Sequence, residues 1–389
     1  MQLPDASKLI ESLELLGSRL VVVASGGGAE AISHLVTTPG ASGVVVEGLV
    51  PYARESVDTL LGGPQEKYCS PRTARRLAMA AWQRARARGV DPDRAVGVAV
   101  AASLRTLRPK RGEHRICAAV QTLHATTQAS LVLDKDARSR GDEERLAAAL
   151  VLELTRGSVG SPAAACESIC DPPMAAWLRP GERIEWQRET PPQEWIDLLA
   201  GERKSVSVGE TPAAGGPGRL LFPGSFDPLH EGHRRMARIA EEIAERPVEF
   251  ELSLTNVDKP AIDFIELRGR VGQFAGQTLW LTRAATFLEK LEIFPGSTFV
   301  LGVDTFIRLA DPMYYGGSRS AAEEAVARIA ASARGLIVFG RVRDGVFLDP
   351  SQIEVPGPLR EIAYVVSQRE FRLDISSTEL RAAGDDSRD

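Results

Sequence analysis

The chain is poor in cysteine. Cys69, Cys117, Cys166 and Cys170 are four among 389 residues, too few and too scattered for a disulfide framework, so reduced thiols are expected. Cys166 and Cys170 have a spacing that can share a helix face, yet no second Cys/His pair at zinc spacing accompanies them, so no metal site is expected. The sequence also lacks a membrane-length apolar run. Its first residues, Met1 to Leu16, lack a basic stretch followed by an apolar one, so a cytoplasmic location is the expectation. Strong charge is missing too: a formal net charge of −5 gives no general pull toward nucleic acid or an anionic membrane, and neither is expected as a partner. Phosphate binding, if any, must therefore be local. The remaining composition, 43% apolar and 25% charged, is that of an ordinary globular chain long enough for two or three domains. A homo-oligomer is left open.

Helical and strand signals alternate along residues 1–156. Leu9, Ile10, Leu13 and Leu16 share a helix face; Arg19 to Ala24 and Gly43 to Val50 read as buried strands; Ser70 with Pro71 opens a helix running to Arg88. Ala95 to Ala102 and Ile116 to Leu123 are further strands, and Asp142 to Thr155 closes an α/β layered domain. Residues 157–218 are rich in turn formers and read as a linker, although Trp177, Trp186 and Trp195 argue that part of it is packed. Residues 219–389 return to strand and helix alternation and predict a doubly wound parallel sheet.

The clearest chemistry lies at the start of that last domain. Leu220-Leu221-Phe222 is an apolar run that breaks at Pro223-Gly224, and Met236, Ile239 and Ile243 then mark a helix face. Strand, tight loop and helix in this order put unpaired amides where they can hold phosphate oxygens, with Gly224 allowing close approach and His230 and His233 at the same mouth. Downstream, Lys259 follows a second strand, and Trp280 lies within a third as either a stacking plane or a core residue. Gly302-Val303-Asp304 ends a further strand; Asp304 can accept from ribose hydroxyls, and either it or Thr305 can cap the next helix.

Gly224, Phe226, Pro228, His230, Gly232 and His233 match G-x-F-x-P-x-H-x-G-H, and Ile375-Ser376-Ser377-Thr378-Glu379-Leu380-Arg381 matches I-S-S-T-x-x-R. These residues resemble the two signatures of the H-x-G-H nucleotidyltransferase superfamily, and Leu301 to Asp304 is similar to the nucleotide loop of its nicotinamide and nicotinate mononucleotide adenylyltransferases. The resemblance runs from about Arg219 to Arg381. It implies a Rossmann-like fold and transfer of a nucleoside monophosphate, AMP from ATP or the CTP equivalent, to a phosphomonoester with release of pyrophosphate. It further implies that His230, His233 and Arg381 are catalytic and that Gly224, Ser225, Phe226, Lys259, Gly302, Asp304, Ser376, Ser377 and Thr378 bind substrate, with Mg2+ screening the leaving group.

A second resemblance covers most of the first 155 residues. Ala24-Ser25 followed by glycines, Thr38-Pro39-Gly40-Ala41-Ser42, Gly48-Leu49-Val50-Pro51-Tyr52 with Glu55, and Gly141-Asp142 are similar to the C-terminal domain of CinA, a nicotinamide-mononucleotide amidohydrolase family. The departures bear on chemistry. The family's lysine position holds Val57, which cannot take a proton from Ser25, and Val100-Ala101-Ala102-Ser103 stands where its G-I-A-G-P loop would fall. A catalytically degenerate domain is expected, its Ser25-Gly26-Gly27-Gly28 turn being either a phosphate cradle or a plain tight turn. Three readings follow for the whole chain: a transferase for a pyridine mononucleotide, a transferase for another phosphomonoester such as phosphopantetheine or a polyol phosphate, or a non-catalytic nucleotide sensor.

Overall fold

The computed structural model describes residues 2–135, 137–159, 174, 176–209, 218–257, 259–343 and 346–371. The chain divides into two compact units, Met1–Ile196 with Asp258–Glu266, and Asp197–Val257 with Leu267–Asp389.

In the first unit, β1 (Arg19–Ser25), β2 (Val45–Leu49), β3 (Ala95–Ser103), β4 (His114–Gln121), β5 (Thr126–Leu133) and β6 (Ile184–Glu189) form one sheet in the order β2-β1-β3-β4-β5-β6. β1 pairs in parallel with β2 and β3, and β3 to β6 pair antiparallel. One face carries Val96, Val98, Val100, Ile116, Ala118 and Val120, packed with residues of the helices Ala6–Leu15 and Arg140–Val159. The opposite face receives the helix Pro71–Ala87, which Ser70 caps by accepting from the Thr73 amide, as the sequence predicts. That helix lies unusually close: a Cβ added at Gly97 would sit 2.0 Å from the Ala78 carbonyl oxygen. One expectation is corrected. Gly43 to Val50 is not a buried strand but a four-residue helix, Ala41–Val44, followed by a half-buried edge strand. The stretch 157–218 is packed in part, supplying β6 to this sheet and β7 to the next.

The second unit contains β7 (Ser205–Val208), β8 (Leu220–Pro223), β9 (Val248–Ser253), β10 (Leu279–Thr282), β11 (Thr298–Gly302), β12 (Gly335–Phe339), a small hairpin β13 (Arg341–Arg343) and β14 (Val346–Leu348), and β15 (Ala363–Val366). The main sheet runs β15-β12-β11-β8-β9-β10-β7, all parallel except β7. Its strands β8, β9 and β12 are buried along nearly their whole length, as in a parallel sheet covered on both faces.

β9 carries two buried carboxylates two residues apart, hence on one face. Glu249 accepts from Arg219 at 2.7 Å and from the Trp280 indole, with the Arg219 guanidinium 4.8 Å from the Trp280 ring centre. Glu251, 1% exposed, accepts from both Thr282 and Lys290, itself 5% exposed and 2.8 Å away. Of the two roles open to Trp280, the structure selects the packed one, since its ring lies between Arg219 and Phe294. Lys290→Met would leave the Glu251 charge buried without its cation and is expected to cost about 3–5 kcal/mol, measured as a fall in the unfolding midpoint of the intact protein. Adding Glu251→Gln to that variant should recover most of the loss.

Candidate functional site

From β8 the chain proceeds outward to β9 and β10, then returns to β11 on the other side of β8, so the strand order reverses between β8 and β11. The ladder there is short. It pairs Leu220 with Thr298 and Leu221 with Phe299, whereas β8 continues with β9 to Pro223 and β11 continues with β12 to Gly302. The two strands part at their carboxyl ends, which is where ligands enter open α/β sheets. The loop after β8 and the Gly302-Val303-Asp304 turn after β11 flank this opening.

The loop from Gly224 to Leu229 is fixed from within. Its Phe226, at φ +46° and 1% exposed, inserts its ring among Phe222, Phe250, Phe274 and His233 at centroid distances of 5.2–5.5 Å. This corrects the expectation that the Phe226 side chain meets a nucleotide; it anchors the loop. The role of Gly224 shifts with it, because a Cβ there would lie 2.6 Å from the Phe226 ring, so the glycine makes room for the anchor. Ser225 is exposed at the tip. Arg270 donates to the Ser225 carbonyl at 3.0 Å and pairs with Asp227 at 3.4 Å. Gln273 accepts from the Leu229 amide at 2.7 Å and donates to the Phe226 carbonyl at 3.2 Å. The Asp227–Pro228 peptide is cis. Arg270 and Gln273 were not legible as loop supports, since they lie more than forty residues from the loop and belong to no motif.

His230 is the N-cap of the helix Glu231–Ala244, and the two histidines close a reciprocal cap. His230 Nδ1 accepts from the Gly232 amide at 3.1 Å, and His233 Nδ1 accepts from the His230 amide at 3.3 Å. The rings stack with centroids 3.8 Å apart. A nitrogen that accepts a backbone N–H carries no proton, so each neutral ring holds its hydrogen on Nε2. Protonation is disfavoured for both. Burial lowers the pKa of His230, and burial together with His230 brings that of His233 down to about 3. The product is a pair of neutral Nε2–H donors at a helix start, beside the opening of the sheet.

Across the opening, Gly302 is the N-cap of the helix Val303–Arg308, without a side-chain cap. Asp304 lies inside the first turn, so neither it nor Thr305 caps the helix; its Oδ2 accepts from Arg341 at 2.6 Å. Arg341 is a further residue the sequence reading missed. Lys259 is exposed in the segment that belongs to the first unit. Ser376, Ser377, Thr378 and Arg381 lie outside the described residues, as do Cys166 and Cys170. The chain leading toward the second signature is described as far as Phe371, which is buried against Phe339 and lies under Arg235, a residue of the helix that His230 caps.

The glycine turn of the first unit is filled by the protein itself. Added Cβ atoms would meet the Ala102 carbonyl at Gly26, the Leu104 side chain at Gly27 and the Val100 side chain at Gly28. The Glu30 amide, at the start of the helix Glu30–Val36, donates to the Glu144 carboxylate at 3.2 Å. An acidic side chain thus sits where the phosphate cradle was considered, and the plain-turn alternative describes this segment. Ser25 donates to the Pro51 carbonyl at 3.0 Å, and Val57 is a core residue. His34 bonds the Pro4 carbonyl and His124 the exposed Asp93.

Residues 221–260 match the cytidylyltransferase-like family, which supports a nucleotidyltransferase. A comparison with curated proteins gave no match. Among solved structures, the chain is similar to a competence-damaged protein (CinA) superfamily protein from Escherichia coli, at 19% identity over 39% of this chain and 91% of that one, with a TM-score of 0.33. It is likewise similar to the competence/damage inducible protein CihA from Agrobacterium tumefaciens, at 19% identity over 40% and 96% with a TM-score of 0.33, and to a CinA superfamily protein from Enterobacter cloacae, at 17% identity over 41% and 95% with a TM-score of 0.35.

Proposed function

We propose that the second unit transfers a nucleoside monophosphate, AMP from ATP or CMP from CTP, to the phosphate of a pyridine mononucleotide, releasing pyrophosphate. The observation that carries this reading is the reciprocal histidine cap at the reversal of the strand order. It fixes two neutral rings with their N–H on Nε2 at the helix start and keeps positive charge off them. The 221–260 family match supports nucleotidyl transfer in general, and the likeness of Leu301 to Asp304 to the nucleotide loop of the mononucleotide adenylyltransferases supports the pyridine acceptor. In the reaction a phosphate oxygen of the acceptor attacks the α-phosphorus in line, and the bond to the leaving pyrophosphate breaks. His230 and His233 Nε2–H donate to the non-bridging oxygens as charge builds there, with no reorganisation of the loop. Ser225 holds the same oxygens, Asp304 takes a ribose hydroxyl through its remaining oxygen, and Ser376, Ser377, Thr378 and Arg381 grip the triphosphate tail.

Mg2+ enters this reading as part of the substrate, the magnesium triphosphate. The first unit is read as non-catalytic, its turn being occupied by Glu144.

Incubation with ATP or CTP, Mg2+ and a panel of phosphomonoesters should release pyrophosphate and yield a dinucleotide with nicotinamide or nicotinate mononucleotide. Product formed only with a phosphopantetheine-like or polyol phosphate would change the acceptor, and no release with any of them would leave the sensor reading. His230→Ala and His233→Ala should each lower kcat by about 10²–10³ while the circular dichroism spectrum is kept; unchanged turnover would remove their proposed role. No ammonia should form from nicotinamide mononucleotide.

The cap also predicts a pH response. The folded chain keeps His233 neutral down to about pH 3, whereas an unfolded histidine takes up its proton near 6.5. The neutral ring's contribution to stability is therefore complete above pH 6.5 and is lost as pH falls toward 3. Nitrogen-15 spectra of histidine-labelled protein at pH 5 should show His233 with its proton on Nε2 only; a doubly protonated ring would overturn the cap.

A further inference from the structure

Opposite the core face of the first sheet, Cys69 stands two residues before the helix Pro71–Ala87. Its Sγ lies 3.3 Å from the Ala101 carbonyl oxygen and 3.5 Å from that of Arg115. Ala101 pairs directly across the β3–β4 ladder with Cys117, and Arg115 precedes Cys117 by two residues on the same strand face. These contacts place the Cys69 sulfur over the β3–β4 ladder at the register of Cys117. Cys69 is half-buried and Cys117 fully buried, so Cys69 is the more accessible of the two. We propose that Cys69 and Cys117 are an oxidant-reactive thiol pair, in which Cys69 takes an oxygen atom from a hydroperoxide and Cys117 resolves the product to a disulfide.

The surroundings suit these unequal roles. The pKa of Cys69 is lowered, first by its hydrogen bond with Cys117 and then, against the cost of burial, by the charges of Arg115 and Lys110 and the Ser103 amide. That of Cys117 is raised by the same hydrogen bond, by burial and by the charge of Cys69.

The chemistry balances in two steps. The Cys69 thiolate attacks a peroxide oxygen, the O–O bond breaks, and the leaving alkoxide or hydroxide takes up a proton, giving Cys69 sulfenic acid and an alcohol or water. The Cys117 sulfur then attacks the Cys69 sulfur, the S–O bond breaks, and the hydroxyl leaves as water with the Cys117 proton. Two thiols lose two electrons in total, and the peroxide O–O bond gains them.

The test uses the full-length reduced protein treated with hydrogen peroxide, then alkylated and digested. A peptide pair joined through Cys69 and Cys117 is the expected product. In Cys117→Ser, dimedone should trap Cys69 as its sulfenic acid, and in Cys69→Ser the joined pair should be absent with Cys117 unmodified. Without peroxide, Cys69 should react with iodoacetamide at least about tenfold faster than Cys117. The proposal is overturned if Cys69 in Cys117→Ser takes up no dimedone, or if Cys69 joins Cys166 or Cys170 in place of Cys117. Circular dichroism of both variants verifies that the fold is kept, and loss of the joined peptide in a folded variant reports on chemistry alone.

Discussion

Two backbone amides at the start of one helix decide how the second unit presents itself to an anion. A helix start leaves its first amides unsatisfied, and here Gly232 and His230 direct theirs into histidine Nδ1 atoms. The outcome is a trade in which two amide donors turn inward and each ring keeps an Nε2–H donor in their place. Each imidazole acts as an extension of the backbone, fixed in tautomer by the amide behind it. The stacked rings could not both carry charge at 3.8 Å without strong repulsion, so the cap and the stacking enforce the same neutral state.

That arrangement depends on layers farther from the opening. Phe226 plugs the aromatic cluster beneath the loop, Gly224 yields the space for it, and Arg270 and Gln273 clamp the loop's carbonyls, carboxylate and amide from a neighbouring helix and turn. Below them β9 carries its two carboxylates, each held by a cation and a neutral donor. A site on a loop is positioned well only when the loop has little freedom, and here the Ser225 and Phe226 carbonyls, the Asp227 carboxylate and the Leu229 amide are all held.

Much of this was legible in the sequence. The six parallel strands of the second unit follow from short apolar runs, and the helix from Pro71 follows from its Ser70-Pro71 start. The histidines are legible as a pair because three-residue spacing places them on adjacent turns of one helix start. What escaped is non-local. Phe226 reads as a ligand contact until its burial is known, since a motif gives identity and not direction. β5, with Thr126-Thr127-Gln128-Ala129 at its start, has too little hydrophobic contrast to declare itself a strand, and it forms because β4 and β6 offer ladder partners on both sides. Glu144 is more than a hundred residues from the amide it receives, and no local pattern announces such a contact.

That last contact has a consequence for how the first unit can respond to small molecules. A carboxylate carried on the chain's own helix Arg140–Val159 is present at the Glu30 amide at an effective concentration of order millimolar or higher, whatever the solute level. A dissolved phosphate compound would have to evict a resident that never diffuses away. At that turn an anion from solution thus competes with a carboxylate built into the chain.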